Sequence, residues 1–388
     1  MNNMIKKNWD AVGVFFLMSF IFGVIMFYVK WATDLPAHAL AASDMLKEGR
    51  LFANNFLMYF CANLLSFFTG KKYVVRAGLT FLIVCAEVAK YVLVREMGRE
   101  FLSERWARVF SLTLLFIGIL PFPYLLHTPM FGLPADEMYY GYLVPNVWHN
   151  STIICSMPFA IGMYWLSVKN FETFDERRNM YISVLTALCV LTKPSFFFIF
   201  AIAYPLILVY TYGMSKVFWR GMIPVAIGLL CVGYEFISIY GNPSDGSFVY
   251  IDIQSIFHFD FWKKQLPYLF FSLLFPLLYA IMSVRHIYKD KEFWFNVLMF
   301  VAAVGVFYIC KEGGPRATHG NFYWQIVPAM WLLYYYTIKQ IILMISYKRF
   351  NINKISRMGG GIWIVLISMH FLSGVWFVIR LMVLKTYA

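Results

Sequence analysis

The chain has 388 residues, of which 61% are hydrophobic and only 14% are charged, and its net charge is +13. A soluble protein carries roughly a quarter charged residues, so this composition excludes an ordinary soluble fold. The apolar runs are continuous rather than alternating, which predicts an all-α, polytopic helical membrane protein instead of a barrel. The basic residues are scattered through short loops, a pattern that reflects membrane topology and gives no sign of a nucleic-acid partner.

Eleven apolar segments are predicted to span the membrane, and together they form a single integral membrane domain over residues 1–388. In chain order the segments are 12–29, 77–94, 109–126, 151–168, 180–192, 196–212, 221–240, 266–283, 293–310, 323–345 and 362–381. Lys6 and Lys7 precede the first segment, and no small-residue cleavage site follows it. This pattern indicates a retained signal anchor.

A further apolar run, 51–69, carries polar residues along one side and is ambiguous. If it does not cross and the N-terminus is cytoplasmic, the loops richest in Lys and Arg fall inside. If it crosses, the same loops fall outside, against the positive-inside rule. We therefore predict that 51–69 lies on the outer membrane surface or re-enters without crossing. The polar outer loops are then 30–76, 127–150, 241–265 and 311–322.

Reactive side chains concentrate on this predicted outer face, whereas the inner loops are short, basic and without a nucleotide-binding motif. The outer acidic, histidine and basic candidates are Asp34, His38, Asp136, Glu137, His149, Lys311, Arg316 and His319. A carboxylate can act as general base toward a hydroxyl, and Arg or Lys can stabilise a leaving phosphate. Such an inventory suits an enzyme that acts on an anionic, sugar-like substrate.

The candidates in the first two outer loops also have structural interpretations. Asp34 stands before a proline at position 36, so it is equally suited to cap a surface helix. His38 follows four residues later on the same helix face, where it either contacts substrate or is a surface histidine. His149 lies at the mouth of a helix, and its neighbour Asn150 is a candidate N-cap.

The remaining candidates carry similar alternatives. Asp136 and Glu137 also fit a simple loop turn. Lys193 sits at a helix end, where extension of the side chain to the lipid headgroups competes with phosphate binding. Arg316 and His319 share a Gly- and Pro-rich stretch, which either lets the backbone approach a ligand closely or is a plain flexible loop.

The chain resembles the GT-C superfamily of membrane glycosyltransferases, which use polyprenyl-phosphate-linked sugars. The likeness rests on Asp34 soon after the first helix, on the surface segment 51–69, and on the turn Leu191-Thr192-Lys193-Pro194-Ser195. The chain differs from many members of the superfamily because no second acidic residue stands beside Asp34.

The resemblance implies roles for individual residues. Asp34 would be the catalytic base or would position the acceptor hydroxyl, and Asp136 or Glu137 would be a second acidic group for acceptor or metal binding. The groups expected to hold the donor phosphate are Lys193, Lys311, Arg316 and His319. A divalent cation, Mg²⁺ or Mn²⁺, stays open as a cofactor.

The expected activity is transfer of a sugar from a polyprenyl-phosphate carrier to a glycolipid or polysaccharide acceptor. Transfer would occur on the non-cytoplasmic face, and a bacterial inner (plasma) membrane is the expected location. An O-antigen or capsule polymerase is an alternative, although it predicts an arginine-rich outer loop and the outer arginines are few. A lipid or sugar transporter is another alternative. Only Glu87 and Lys90, inside a span, favour it, and these two residues also suit a structural ion pair.

Overall fold

The protein is described here from a computed structural model. The structure describes residues 8–29, 34–50, 52, 56–136, 139, 141–241, 246–257, 259–317, 320–346 and 355–384, without the side chains of 255, 256, 259–261 and 355–359. The first eight helices are α1 (Trp9–Tyr28), α2 (Leu35–Lys47), α3 (Phe56–Leu65), α4 (Lys72–Arg99), α5 (Glu104–Phe116), α6 (Phe122–Leu126), α7 (Ser151–Glu172) and α8 (Glu176–Thr192). The next eight are α9 (Ser195–Tyr212), α10 (Lys216–Gly221), α11 (Ile223–Tyr240), α12 (Phe259–Met282), α13 (Val284–Ile287), α14 (Lys291–Ile309), α15 (Ile326–Ser346) and α16 (Ile355–Leu384).

A two-stranded antiparallel ribbon interrupts the helices. Strand β1 (Phe248–Ile251) pairs with β2 (Cys310–Gly313), with Phe248 opposite Gly313 and Ile251 opposite Cys310. Short 3₁₀ turns follow β2 at Gly314–Arg316 and Asn321–Tyr323. The ribbon therefore connects the ends of α11 and α14, although these helices are far apart in the chain.

Within the described residues, nine helical segments are long and apolar enough to cross a membrane. They are Trp9–Tyr28, Lys72–Arg99, Ser151–Glu172, Ser195–Tyr212, Lys216–Tyr240, Trp262–Met282, Lys291–Ile309, Asn321–Ser346 and Gly360–Leu384. The expectation of an all-α, polytopic membrane protein is confirmed. The structure supplies candidates for nine of the eleven predicted spans. Of the other two, 109–126 is interrupted and 180–192 belongs to a shorter helix.

The predicted span 109–126 is not one continuous helix. Helix α5 ends at Phe116, residues 117–121 are non-helical, and α6 begins only at Phe122. The break coincides with Pro121 and Pro123, which cannot donate backbone hydrogen bonds to the preceding turn. The prediction of an unbroken helix here was wrong, because it weighed hydropathy and passed over these prolines.

Partners elsewhere in the chain satisfy the backbone at this break. The side-chain amide of Asn146 donates to the Ile117 carbonyl at 2.8 Å. His370 of α16 bonds twice to Gly118, since its ring donates to the Gly118 carbonyl at 2.7 Å and its own carbonyl accepts from the Gly118 N–H at 3.0 Å. Gly374 lies so close that a Cβ there would stand 1.6 Å from a backbone oxygen of Phe116. Non-helical backbone at membrane depth requires such partners.

Two other segments bear on the topology. The segment 180–192 belongs to α8, a 17-residue helix that begins with Glu176 and two arginines and is therefore less apolar than the nine candidates. The ambiguous run 51–69 contains α3, which has 10 residues. A helix of that length spans about 15 Å, roughly half of the hydrocarbon core. Its length agrees with the prediction that this run does not cross.

The packing of α2 and α3 brings the candidate residues together. Both helices lie against α4, and α3 also packs against α8. Helices α9 and α14 pack side by side, and α8 packs against α11. The end of α8, the start of α2, and the ribbon between α11 and α14 therefore meet at one end of the bundle.

Candidate functional site

Asp34 lies immediately before α2, but its side chain does not cap that helix. Its carboxylate instead accepts a hydrogen bond from the side-chain amide of Asn150 at 3.3 Å, and its backbone N–H donates to the His149 carbonyl at 3.1 Å. Asn150 is the N-cap of α7, because its side-chain oxygen accepts from the Ile153 N–H at 3.1 Å. This cap fixes the orientation of the amide, so its NH₂ group is directed at Asp34.

The surroundings of Asp34 make its carboxylate more basic than an exposed one. Burial raises the pKa of Asp34, and the hydrogen bond from Asn150 and the positive charge of Lys193 offset part of this rise. A carboxylate with a raised pKa is a better proton acceptor at neutral pH. Asp34 therefore has the electrostatic setting of a general base.

Two histidines beside Asp34 are held neutral. His38 lies one turn into α2, and its Nδ1 shares a 2.7 Å hydrogen bond with the hydroxyl of Tyr59 on α3. Burial, reinforced by the charge of Lys193, lowers the pKa of His38 to about 4. Burial and the neighbouring His38 lower the pKa of His149 to about 3. Neutral imidazoles both donate and accept hydrogen bonds, which suits contacts with sugar hydroxyls.

Lys193 follows the last residue of α8 and points into the protein. Its backbone is extended, with φ −164° and ψ 117°, as expected for a residue that precedes a proline. The side chain is 7% exposed, and its ammonium group donates to the side-chain oxygen of Asn321 at 3.3 Å. Burial and repulsion from Arg316 lower the pKa of Lys193 to about 8. The alternative of a lysine extended toward lipid headgroups does not describe this buried side chain.

Glu312 of β2 connects the polar groups around Lys193. Its carboxylate accepts hydrogen bonds from the Tyr240 hydroxyl at 2.6 Å, from Nε of Arg316 at 3.1 Å and from the amide of Asn321 at 2.7 Å. The residue is only 8% exposed. Burial acts to raise the pKa of Glu312, but these three bonds outweigh it and the pKa is lowered. Glu312 is therefore a buried carboxyl group that is ionised at neutral pH.

The glycine-rich stretch before Arg316 makes a close backbone contact. Gly314 has a φ of +70°, and a Cβ at this position would lie 2.1 Å from the carbonyl oxygen of Gly246. Only glycine fits both constraints. The close contact seen here is with the chain itself, so the approach of this stretch to a ligand stays a prediction. The contact holds the turn that presents Arg316.

A groove of 420 Å³ leads from these polar residues between α9 and α11. Its walls are apolar and include Phe198, Ala201, Ile202, Leu229, Val232 and Phe236. Its charged or amide lining residues are Lys193, Glu235, Glu312, Arg316 and Asn321. The groove thus joins an apolar channel to a polar end that carries both cations.

The structure brings five of the predicted site residues together. Asp34, His38, His149, Lys193 and Arg316 lie in one cluster, linked by the contacts and charge interactions described above. The outer-loop inventory predicts only that Asp34, His38, His149 and Arg316 share one face of the membrane. Their co-location does not by itself test the role of any one residue.

Four other candidates are not part of the cluster as described. Lys311 donates to the Phe307 carbonyl at 3.3 Å and lies over the ring of that residue. Neighbouring residues of a strand face opposite sides, so Lys311 faces away from the groove that Glu312 lines. Asp136 is exposed and makes no hydrogen bond or ion pair with the cluster within the described part of the chain. Glu137 and His319 lie outside the described residues.

Sequence reasoning did not single out several residues of the site, namely Tyr59, Glu235, Tyr240, Glu312 and Asn321. Glu87 and Lys90, by contrast, form the expected buried ion pair at 3.6 Å. Among the described residues, no group of three or more His, Cys, Asp or Glu is arranged to hold a metal ion. No residue set is therefore assigned to Mg²⁺ or Mn²⁺.

No family model matches the sequence, and no curated protein matches it significantly. Among solved structures, the chain is similar to the apo crystal structure of the oligosaccharyltransferase of Archaeoglobus fulgidus, with a TM-score of 0.44 and 11% sequence identity. The match covers 99% of this chain and 57% of the archaeal one. A likeness of this degree leaves the function to be inferred from the chemistry of the site.

Proposed function

We propose that this protein is a membrane glycosyltransferase that takes a sugar from a polyprenyl-phosphate carrier. The observation that carries the proposal is the apolar groove that ends at Lys193 and Arg316, with the carboxylate of Asp34 within electrostatic range of Lys193. An apolar channel suits an isoprenoid chain, and cations at its end suit the attached phosphate. The acceptor would be a lipid- or polymer-linked glycan on the non-cytoplasmic face of a bacterial plasma membrane.

The residues of the site suit a single displacement at the anomeric carbon. Asp34 would remove the proton from an acceptor hydroxyl as its oxygen attacks that carbon. The bond between the anomeric carbon and the phosphate oxygen breaks, and Lys193 and Arg316 would stabilise the departing phosphate. His38 and His149, both neutral, would bind sugar hydroxyls.

The test is sugar transfer by purified protein in lipid, with polyprenyl-phosphate sugars and glycolipid acceptors. The Asp34→Asn variant should lose about 10²- to 10⁴-fold in rate, the usual contribution of a general base. Asp44→Asn is a matched control on the same helix, because Asp44 is partly exposed and its carboxylate forms one ion pair among the described residues, with Lys47 at 3.8 Å. Its rate should equal that of the wild type.

Two results would contradict the proposal. Equal transfer rates for the Asp34 variant and the wild type would remove Asp34 from the chemistry. Absence of transfer with every donor, combined with exchange of carrier lipid between the two leaflets of vesicles, would favour the transporter alternative.

A further inference from the structure

We infer that the groove selects a carrier with a single phosphate over one with a diphosphate, and that Glu312 sets this preference. The inference rests on the proposed function, since it concerns the headgroup of the same carrier lipid. It adds the charge of the carrier headgroup as a property of the substrate and Glu312 as a positioning residue, and the proposed displacement requires neither.

The first argument is the balance of charge along the groove. Its charged lining residues among those described are two cations, Lys193 and Arg316, and two carboxyl groups, Glu235 and Glu312. The empty groove is therefore formally neutral. A diester of one phosphate brings one negative charge, whereas the corresponding diphosphate brings two. The phosphodiester thus leaves one net negative charge in the groove and the diphosphate leaves two, and because each such charge is costly in a desolvated site, the diphosphate is disfavoured.

The second argument is the way in which Glu312 engages one of the cations. The Nε–H of Arg316 is committed to the Glu312 carboxylate, which also accepts from Asn321. Asn321 in turn accepts from Lys193, whose only hydrogen bond within the described residues goes to this neutral amide. One cation is thus paired in advance, and the ammonium of Lys193 is the charge available to an anion.

The third argument is that the negative charge of Glu312 is fixed. Tyr240, Arg316 and Asn321 all donate to its carboxylate, and the side chain is 8% exposed. Hydrogen bonds to the charged form favour ionisation. Glu312 therefore repels a second phosphate charge at neutral pH while it holds Arg316 and Asn321 in place.

The inference is tested by binding, separately from sugar transfer. Two probes are matched in their polyprenyl chain, one a methyl phosphodiester with one charge and the other a methyl diphosphate with two. Each competes with a labelled phosphodiester for the purified wild type, for Glu312→Gln and for the control Glu48→Gln. Glu48 is an exposed carboxylate whose side-chain partner among the described residues is Arg50. Glutamine at 312 retains the size and the acceptor oxygen but lacks the charge.

The wild type should bind the phosphodiester about tenfold more tightly than the diphosphate, which is the scale of one charge interaction in a partly buried site. The Glu312 variant should lose most of this preference, and the Glu48 variant should keep it. Equal or tighter binding of the diphosphate by the wild type would overturn the inference, even if the Glu312 variant fails to fold. A folded Glu312 variant with an unchanged ratio, or a wild type that binds neither probe, would also overturn it. Loss of transfer with the binding preference intact would instead contradict the proposed function alone.

Discussion

Binding of the carrier phosphate should weaken as the pH rises through 8, because its cation Lys193 loses a proton. Burial and the charge of Arg316 lower the pKa of Lys193 to about 8 in the empty site. A bound anion stabilises the ammonium form, so the pKa in the complex lies higher. Affinity is therefore fully present below pH 8 and falls as the pH rises above it.

The size of the effect follows from the pKa. Lys193 is about 90% protonated at pH 7 and about 10% protonated at pH 9. The affinity for a singly charged phosphodiester should thus fall about tenfold over this interval, or about 1.4 kcal/mol. The other ionisable groups around Lys193 are Asp34, His38, Glu235, Glu312 and Arg316. Of these, His38 titrates near pH 4, which is below the range of the assay.

The assay is equilibrium binding of a polyprenyl methyl phosphodiester at pH 7, 8 and 9. This probe keeps one negative charge over the whole range, unlike a phosphate monoester, which titrates near pH 6. A Lys193→Arg variant is the matched control, since its guanidinium does not deprotonate. Its affinity should be the same at all three pH values. A wild-type affinity that does not change between pH 7 and 9, or an arginine variant with the same slope as the wild type, would refute the reasoning.

Three further predictions concern single positions. Lys311→Met should change transfer by less than about twofold, within ordinary surface effects, because the lysine faces away from the groove; a large loss would contradict this orientation. Gly374→Ala should sharply reduce the amount of folded protein on size-exclusion chromatography, because its Cβ would collide with the Phe116 carbonyl. Gly361→Ala on the same helix should not, because its Cβ would meet no atom of the described residues within 4 Å. Asn150→Asp should keep the helix cap but replace the amide donor by a like charge. The pH below which activity falls should then move upward with the pKa of Asp34, and an unmoved acid limb would exclude this link.

Much of the site could be predicted because its signals are local in the chain. Asp34 directly precedes a Pro-containing helix start, and the proline after Lys193 dictates an extended backbone that ends α8. The positive-inside distribution placed Asp34, His38 and His149 on one face before any contact was known. Such rules depend on neighbouring residues only, so one sequence is sufficient to apply them.

The residues that were missed depend on pairing between distant segments. Glu312 faces the groove because β2 pairs with β1, about 60 positions earlier, and nothing in the acidic residue itself indicates this register. The same strand register directs Lys311 to the other side, over the ring of Phe307, although the sequence groups it with the phosphate ligands. Tyr59 belongs to the run 51–69, whose polar side was attributed to the membrane surface. The break after Phe116 was detectable, because Pro121 and Pro123 stand inside that apolar run.

The break between α5 and α6 has a consequence for how the chain is assembled. The carbonyl groups of Gly118 and Ile119 accept hydrogen bonds from the side chains of His370 and Ser373, which are 252 and 254 positions later in the chain, and the Ile119 carbonyl also accepts one from Tyr139. During synthesis the two partners on α16 are made long after residues 117–121 have reached the membrane. Contacts of such sequence separation form late in folding. These two carbonyl groups therefore cannot gain the partners on α16 until that helix has been made and has packed against the break.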